Sequence, residues 1–349
     1  MCFMNYCKND KQDTVICFVA GGSGGHIIPG LTYAQKFFEV TGARIIFMTT
    51  KKELDCQLLR PYKWIHHVPL SIRAFPGLHI MLIPWMYYFI KSFFESLSAL
   101  KRYKVTHIKS MGALLSLPVW LASRLLRISY EVYEFNIIPG KAVNFLAKRG
   151  VPLYACFEET KKHLPSSALV FVTQYPIRFR DDEVVSSKKA RSLLKLDQNK
   201  RILFIVGGSQ GSQGLNDLIE RWLGQQKMKN INNIFIIHQS GQRDCERMRM
   251  LYAHYKVAAI VSPYIERIAL VYQASNAVIS RCGAGALSEL EFFKKTAALI
   301  PLKTSYTSHQ LDNGAWYASH YPDRYMLFDQ DIVHSDPQPF FNWIECVLS

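Results

Sequence analysis

Short apolar runs rich in β-branched side chains alternate along this chain with longer stretches of helical spacing. Residues 14–20 (TVICFVA) form one such run and end directly in Gly21-Gly22-Ser23-Gly24-Gly25-His26, after which IIPGLTYAQKFFEV repeats its apolar positions every three to four residues. That is strand, glycine turn, helix. Further strands are predicted at 44–49 (RIIFMT), 106–109 and 128–132, with helical patterns between them. From 178 to 201 the chain turns polar and charged, and then the opening pattern returns as RILFIV, GGSQGSQG and LNDLIERWL. Later strands are predicted at 234–237, 258–261, 277–279 and 297–300. Strands alternating with helices predict parallel, doubly wound sheets, and the repeated opening predicts two similar α/β domains in tandem.

Composition adds the kind of partner. The 349 residues are 49% apolar and 20% charged, enough for two compact cores and too apolar for long disorder. Lysine and arginine (42) outnumber aspartate and glutamate (27), a formal charge of +15 that favours anionic partners: nucleic acid, acidic lipid or phosphorylated substrates. No zinc-finger spacing or RNP-type aromatic motif is present, so nucleic acid is not expected. The eight cysteines include no C-x-x-C pair and read as buried or free thiols of a reducing cytoplasm. The polar opening MCFMNYCKNDKQD has no apolar core, and no secretory signal is expected. The longest apolar run, 80–90 (IMLIPWMYYFI), is too short to cross a bilayer, which takes about 20 residues. With Phe75, Arg73, Lys91, Lys101 and Arg102 around it, it reads either as an interfacial anchor on acidic lipid or as an aromatic core helix.

A strand entering a glycine turn at a helix N-terminus makes an anion site, because unpaired N–H groups converge where only glycine allows close approach; a tight turn without a ligand is the alternative. Ile27 stands where the dinucleotide fingerprint needs its third glycine, and no G-K-[ST] follows either turn, so a dinucleotide site and a P-loop are both excluded. His26 closes the first turn at the positive helix end, which disfavours its protonation and suits a neutral base; it could equally cap the turn. In the cluster 280–289 (SRCGAGALSE), small residues let a ligand lie against the backbone. Glu289 there either accepts the hydroxyls of a ribose or is a solvated first-turn charge. The amides of 308–313 (SHQLDN) are of the sort that read sugar hydroxyls, or form a polar loop. Asp329-Gln330-Asp331 and Asp181-Asp182 resemble metal-binding carboxylates but read as surface turns, and no required metal is expected.

Taken in order, GGSGGHIIPGL, EFNIIPG, the PIR at 176–178, GGSQGSQGLN, HQSG at 238–241, SRCGAGALSEL and HQLDN resemble the MurG family, bacterial transferases that add GlcNAc to lipid I to make lipid II. The resemblance runs over residues 15 to 315. It implies an α/β, GT-B-type glycosyltransferase fold, two Rossmann-like domains whose parallel sheets face across a cleft. The first domain would span 1–175, associate with acceptor and membrane, and receive 334–349 packed back on it; the second, 176–333, would bind UDP-GlcNAc. It further implies an inverting, metal-independent transfer with no cofactor, in peptidoglycan synthesis, at the cytoplasmic face of the inner membrane, beside an anionic phospholipid surface and other cell-wall synthesis proteins.

Residue by residue, the resemblance places Ser23, Gly24 and Gly25 on the first nucleotide-sugar contact loop and Asn136, Arg178 and Ser209 on further donor contacts. Ile265 falls beside the uracil, Ala284, Gly285, Ala286, Leu287, Ser288 and Glu289 on the uridine-binding segment, and Gln310 on the GlcNAc hydroxyls. His26 matches the histidine that would deprotonate the acceptor. Departures fall near the acceptor. Tyr133 and Phe135 replace a histidine and a glutamine, changing the expected lining there. The stretch 111–118 (MGALLSLP) lacks two of the family's glycines, and Ala286 replaces a threonine. A different lipid acceptor, such as diacylglycerol, or a nucleotide-sugar-binding scaffold without chemistry are the competing readings.

Overall fold

The computed structural model describes residues 14–76, 82–208, 210–225, 233–303 and 309–349. The chain divides into two compact units, Met1–Arg178 and Phe179–Ser349. In the first, β1 (Val15–Val19), β2 (Arg44–Thr50), β3 (His66–Leu70), β4 (His107–Ser110), β5 (Ser129–Glu134), β6 (Leu153–Ala155) and β7 (Val170–Val172) form one sheet in the order β3-β2-β1-β4-β5-β6-β7. In the second, β8 (Arg201–Val206), β9 (Ile234–Gln239), β10 (Ala258–Ser262), β11 (Ala277–Ser280), β12 (Thr296–Leu299) and β13 (Tyr325–Leu327) are ordered β10-β9-β8-β11-β12-β13. Every strand pairing is parallel.

Parallel strands covered on both faces need continuous apolar runs, and that is why β1 and β8 were legible. All five side chains of β1 are buried, as are five of the six in β8. The strands not foreseen are β3, whose HHVPL is polar and holds a proline, and the three-residue β6, β7 and β13. The polar stretch 178–201 also contains an unforeseen helix, Ser187–Leu193, started by the Ser186 hydroxyl accepting from the Lys189 N–H.

The expectation for the C-terminal segment is corrected. Helix Gln338–Leu348 buries Phe340, Phe341, Ile344 and Leu348 in the second unit's core, with Leu203, Leu218 and Trp222, rather than on the first unit. Its apolar stripe is satisfied where it lies.

In each sheet the chain steps outward from its first strand and then returns to pair on that strand's other side. The β1/β4 and β8/β11 junctions are therefore topological switch points, where crossovers diverge and leave a crevice at the strands' carboxyl ends. Both glycine turns open at these junctions.

Candidate active site

The first turn leaves β1 at its switch point and is fastened from beneath by Asp55. That carboxylate is fully buried, and its Oδ2 accepts from the Gly22 N–H (2.9 Å), the Thr50 N–H (3.2 Å) and the Thr50 hydroxyl (2.5 Å). Gly22 adopts φ 88°, a left-handed conformation that a Cβ would strain. Ser23 follows as the N-cap of helix Gly24–Thr41, yet its hydroxyl makes no cap bond; it lies 3.1 Å from His26 Nδ1. With that hydroxyl diverted, Ser23 takes the His26 and Ile27 N–H groups through its carbonyl alone (3.3 Å each), and the hydroxyl fixes the imidazole. If Nδ1 carries the ring hydrogen and donates it to Ser23, Nε2 holds the lone pair that a general base needs.

Around this turn lies a cavity of about 580 Å³ built within the first unit from the carboxyl ends of four adjacent strands. Gly21 and Gly22 follow β1, Lys51 and Lys52 follow β2, Ser71 and Arg73 follow β3, and Ala113 and Leu114 follow β4; Tyr88 and Lys91 close it from helix Leu82–Arg102. Four of these side chains are cations and none is acidic. The Arg73 guanidinium is stacked 3.7 Å from the Tyr88 ring centroid, and Lys51 Nζ donates to Ser71 Oγ at 2.8 Å. The cavity can receive an anion attached to an apolar body.

The loop after β4 keeps a glycine-like course at Ala113 as well as at Gly112. Gly112 and Ala113 both have positive φ, 78° and 65°, held by the Ser116 hydroxyl donating to the Gly112 carbonyl (2.5 Å) and sharing a bond with Ser110 Oγ (2.7 Å). After β5, buried Glu134 gathers the N–H groups of Phe135, Asn136 and Gly140 and the Asn136 Nδ2, all at 2.8–3.0 Å, and so orients the Asn136 amide. Burial raises the Glu134 pKa, outweighing those four donors. Tyr133 and Phe135 do not alter the lining as expected: both are core residues, Tyr133 packed between Tyr33 and Tyr154, and Phe135 against Tyr175. Arg178 is the last residue of the first unit and is half-buried.

In the second unit the glycine turn leaves β8 toward helix Gln213–Gln225; Ser209 lies outside the described residues. At Gly211, φ is 75°, and a Cβ would run into the Ser240 carbonyl. Gln239, buried at the end of β9, accepts from the Ile265 N–H (2.9 Å) and donates to the Gly208 carbonyl (2.8 Å), tying the Ile265 loop to the glycine turn. Ala284 to Glu289 open helix Ala284–Phe292 after β11. Leu287 and Ser288 are buried there, whereas Ala284, Gly285, Ala286 and Glu289 are half-buried. The Gln310 amide oxygen accepts from the Cys282 N–H (3.2 Å) and the Leu302 N–H (2.9 Å), which fixes the orientation of the amide. Asp329 is an N-cap, accepting from the Asp331 and Ile332 N–H groups.

A model of the glycosyltransferase family 28 N-terminal domain matches residues 16–150, and one of the family 28 C-terminal domain matches 202–332. The chain belongs to glycosyltransferase family 28. Among its relatives, enzymes of Desulfotalea psychrophila and Thermodesulfovibrio yellowstonii are 28% and 29% identical over 86% and 84% of this chain and 80% of each relative. Both are named UDP-N-acetylglucosamine--N-acetylmuramyl-(pentapeptide) pyrophosphoryl-undecaprenol N-acetylglucosamine transferase. The crystal structure of Acinetobacter baumannii MurG aligns with a TM-score of 0.71 at 23% identity, covering 96% of this chain and 91% of that one. A UDP-glucose:anthocyanidin 3-O-glucosyltransferase with bound UDP aligns with a TM-score of 0.59 at 10% identity, covering 86% and 83%. These neighbours show the fold, which is that of GT-B-type glycosyltransferases.

Sequence reasoning gave no site role to Asp55, Lys51, Lys52, Ser212 and Arg281, and read Arg73 only with the run that is an interfacial anchor or an aromatic core helix. One signal was available: polar or charged residues directly after a predicted strand sit on the carboxyl edge, and Lys51, Lys52 and Arg281 do so.

Proposed function

We propose that this family 28 enzyme transfers GlcNAc from UDP-GlcNAc to the MurNAc 4-hydroxyl of lipid I, giving lipid II. The observation that carries the acceptor assignment is the cation-lined cavity at Gly21 and Gly22 of the first glycine turn, since a lipid-linked diphosphate sugar joins an anion to an apolar chain. His26 Nε2 removes the proton of the 4-hydroxyl, with Nδ1 held by Ser23. The oxygen attacks C1 of GlcNAc on the face opposite UDP, the C1–O bond to UDP breaks, and a β-1,4 link forms. Negative charge grows on the leaving diphosphate, and N–H groups of the glycine turns, with Ser209 and Arg178, stabilise it. Glu289 accepts from the ribose hydroxyls, the Ile265 backbone faces the uracil, and Asn136 and Gln310 read the sugar.

The acceptor is anchored in the cytoplasmic leaflet, and helix Leu82–Arg102 supplies a face for it. Its buried side carries Ser92, Ser96, Ala99 and Leu100, whereas Ile83 (77% exposed), Tyr87 (61%) and Phe94 (59%) face outward with Met86 and Ile90. Phe89, Phe93 and Leu97 pack on the first unit's core, so the outward row is a second apolar face of the same helix, and Lys91 beside it adds attraction for acidic headgroups. Among the described residues no helix is long and apolar enough to cross a membrane. The test is steady-state transfer to a lipid I analogue: His26→Ala lowers kcat at least a hundredfold with UDP affinity retained, and a wild-type rate would remove His26 as the base.

A further inference from the structure

Arg281 follows β11 at the switch point of the second sheet and is 4% exposed. Its Nη1 donates to the Ile300 carbonyl (3.1 Å), the Pro301 carbonyl (3.4 Å) and Gln330 Oε1 (2.9 Å). Its Nε and Nη2 both donate to Ser212 Oγ, at 2.9 and 2.7 Å. Every one of these acceptors is neutral, and among the described residues no carboxylate pairs with this guanidinium. The cation also lies near Gly214, in the first turn of helix Gln213–Gln225, where the helix dipole is positive. A buried charge so placed is stabilised by an anion arriving at the same edge. Burial alone already lowers its pKa to about 10.

Ser212 ends the glycine turn and stands half-buried just before that helix, its carbonyl accepting from Leu215 and Asn216. A serine there ordinarily caps the helix by accepting through its hydroxyl oxygen. Here both lone pairs of Oγ are taken by Arg281, so the hydroxyl has only its hydrogen left to offer. We propose that Ser212 is a donor-only hydroxyl for the diphosphate of the nucleotide sugar, and that Arg281 is the positioning residue that makes it so while supplying charge behind it. This rests on reading the second unit as the nucleotide-diphosphate-sugar site. The hydroxyl donates to a phosphate oxygen whose charge grows as the bond to C1 breaks, and its acceptor capacity, which would hold a water or cap the helix, is occupied beforehand.

The experiment is calorimetric titration of the full chain with UDP and, separately, with uridine. Ser212→Ala should weaken UDP about ten- to 150-fold, the range for one hydrogen bond to a charged group, and leave uridine unchanged. Arg281→Lys keeps the charge but loses the fork. It should also weaken UDP selectively, and Ser212→Ala added to it should cost no more than about another threefold, because both act through one bond. Wild-type UDP affinity in Ser212→Ala, or equal losses for UDP and uridine, would overturn the proposal. Failure of the wild-type chain to bind UDP would instead overturn the nucleotide-sugar reading beneath it.

Discussion

Replacing Ala113 by glycine should stabilise the protein, although glycine normally does the opposite. Ala113 sits at φ 65° in the loop after β4. An L-residue in that left-handed region costs about 1–2 kcal/mol. The loop cannot relax away from it, because Ser116 ties down Gly112 and Ser110, and Tyr130 donates to the Ser116 carbonyl at 3.0 Å. Glycine removes the strain but adds freedom to the unfolded chain, worth about 0.4–1 kcal/mol against it. The alanine methyl lines the cavity and gives up little burial. The net is about 1 kcal/mol in favour of Ala113→Gly, a rise of roughly 2–4 °C in the melting of a unit this size. Arg127, at φ 56° after helix Ser116–Leu126, makes a control: Arg127→Gly should gain a similar amount away from the cavity. Thermal unfolding by circular dichroism reads both. A lower melting temperature for Ala113→Gly alongside a higher one for Arg127→Gly would refute the reasoning about this loop.

Other outcomes follow from the same geometry. Asp55→Ala leaves two N–H groups and a hydroxyl without their acceptor and should destabilise by about 3–5 kcal/mol, read by urea unfolding; a change below about 1 kcal/mol would mean the turn is not held by Asp55. Ser23→Ala should lower kcat about tenfold by freeing the His26 ring, and unchanged kcat would contradict a role for Ser23 in holding Nδ1. Lys52→Glu with Lys91→Glu should raise KM for the lipid acceptor more than tenfold while KM for UDP-GlcNAc stays, which initial-rate kinetics would check. His238 is fully buried between Tyr252 and Asn216, and burial lowers its pKa to about 3. The unfolded chain therefore binds its proton first as pH falls, and stability is lost from about pH 6.5 downward, by about 2 kcal/mol at pH 5. His238→Gln should flatten that dependence in unfolding measured from pH 8 to 5.

The features legible in the sequence were those with a strong local cause. Continuous apolar runs marked β1, β2, β8, β9 and β11, and the glycine turns marked where each sheet switches direction. Strand β3 stayed hidden because its HHVPL has neither an apolar run nor clean alternation, and β6, β7 and β13 are too short to show a period. The destination of the C-terminal segment came only from the family resemblance, and a stripe of Phe340, Phe341 and Ile344 does not say which core receives it. The cavity was invisible for a different reason: Lys51, Arg73, Lys91 and Ala113 are scattered along the chain and meet only because four parallel strands end at one edge. Arg281 was in plain view beside a strand, yet its meaning depends on its having only neutral acceptors among the described residues, which packing alone reveals.

The most direct test is transfer from UDP-GlcNAc by the full chain in EDTA, with a lipid I analogue and diacylglycerol offered as separate acceptors and the product's anomeric linkage read by NMR. A β-1,4-linked disaccharide on the lipid I analogue alone is the expected result. Transfer to diacylglycerol with none to lipid I, or UDP-GlcNAc binding without transfer to either, would contradict it.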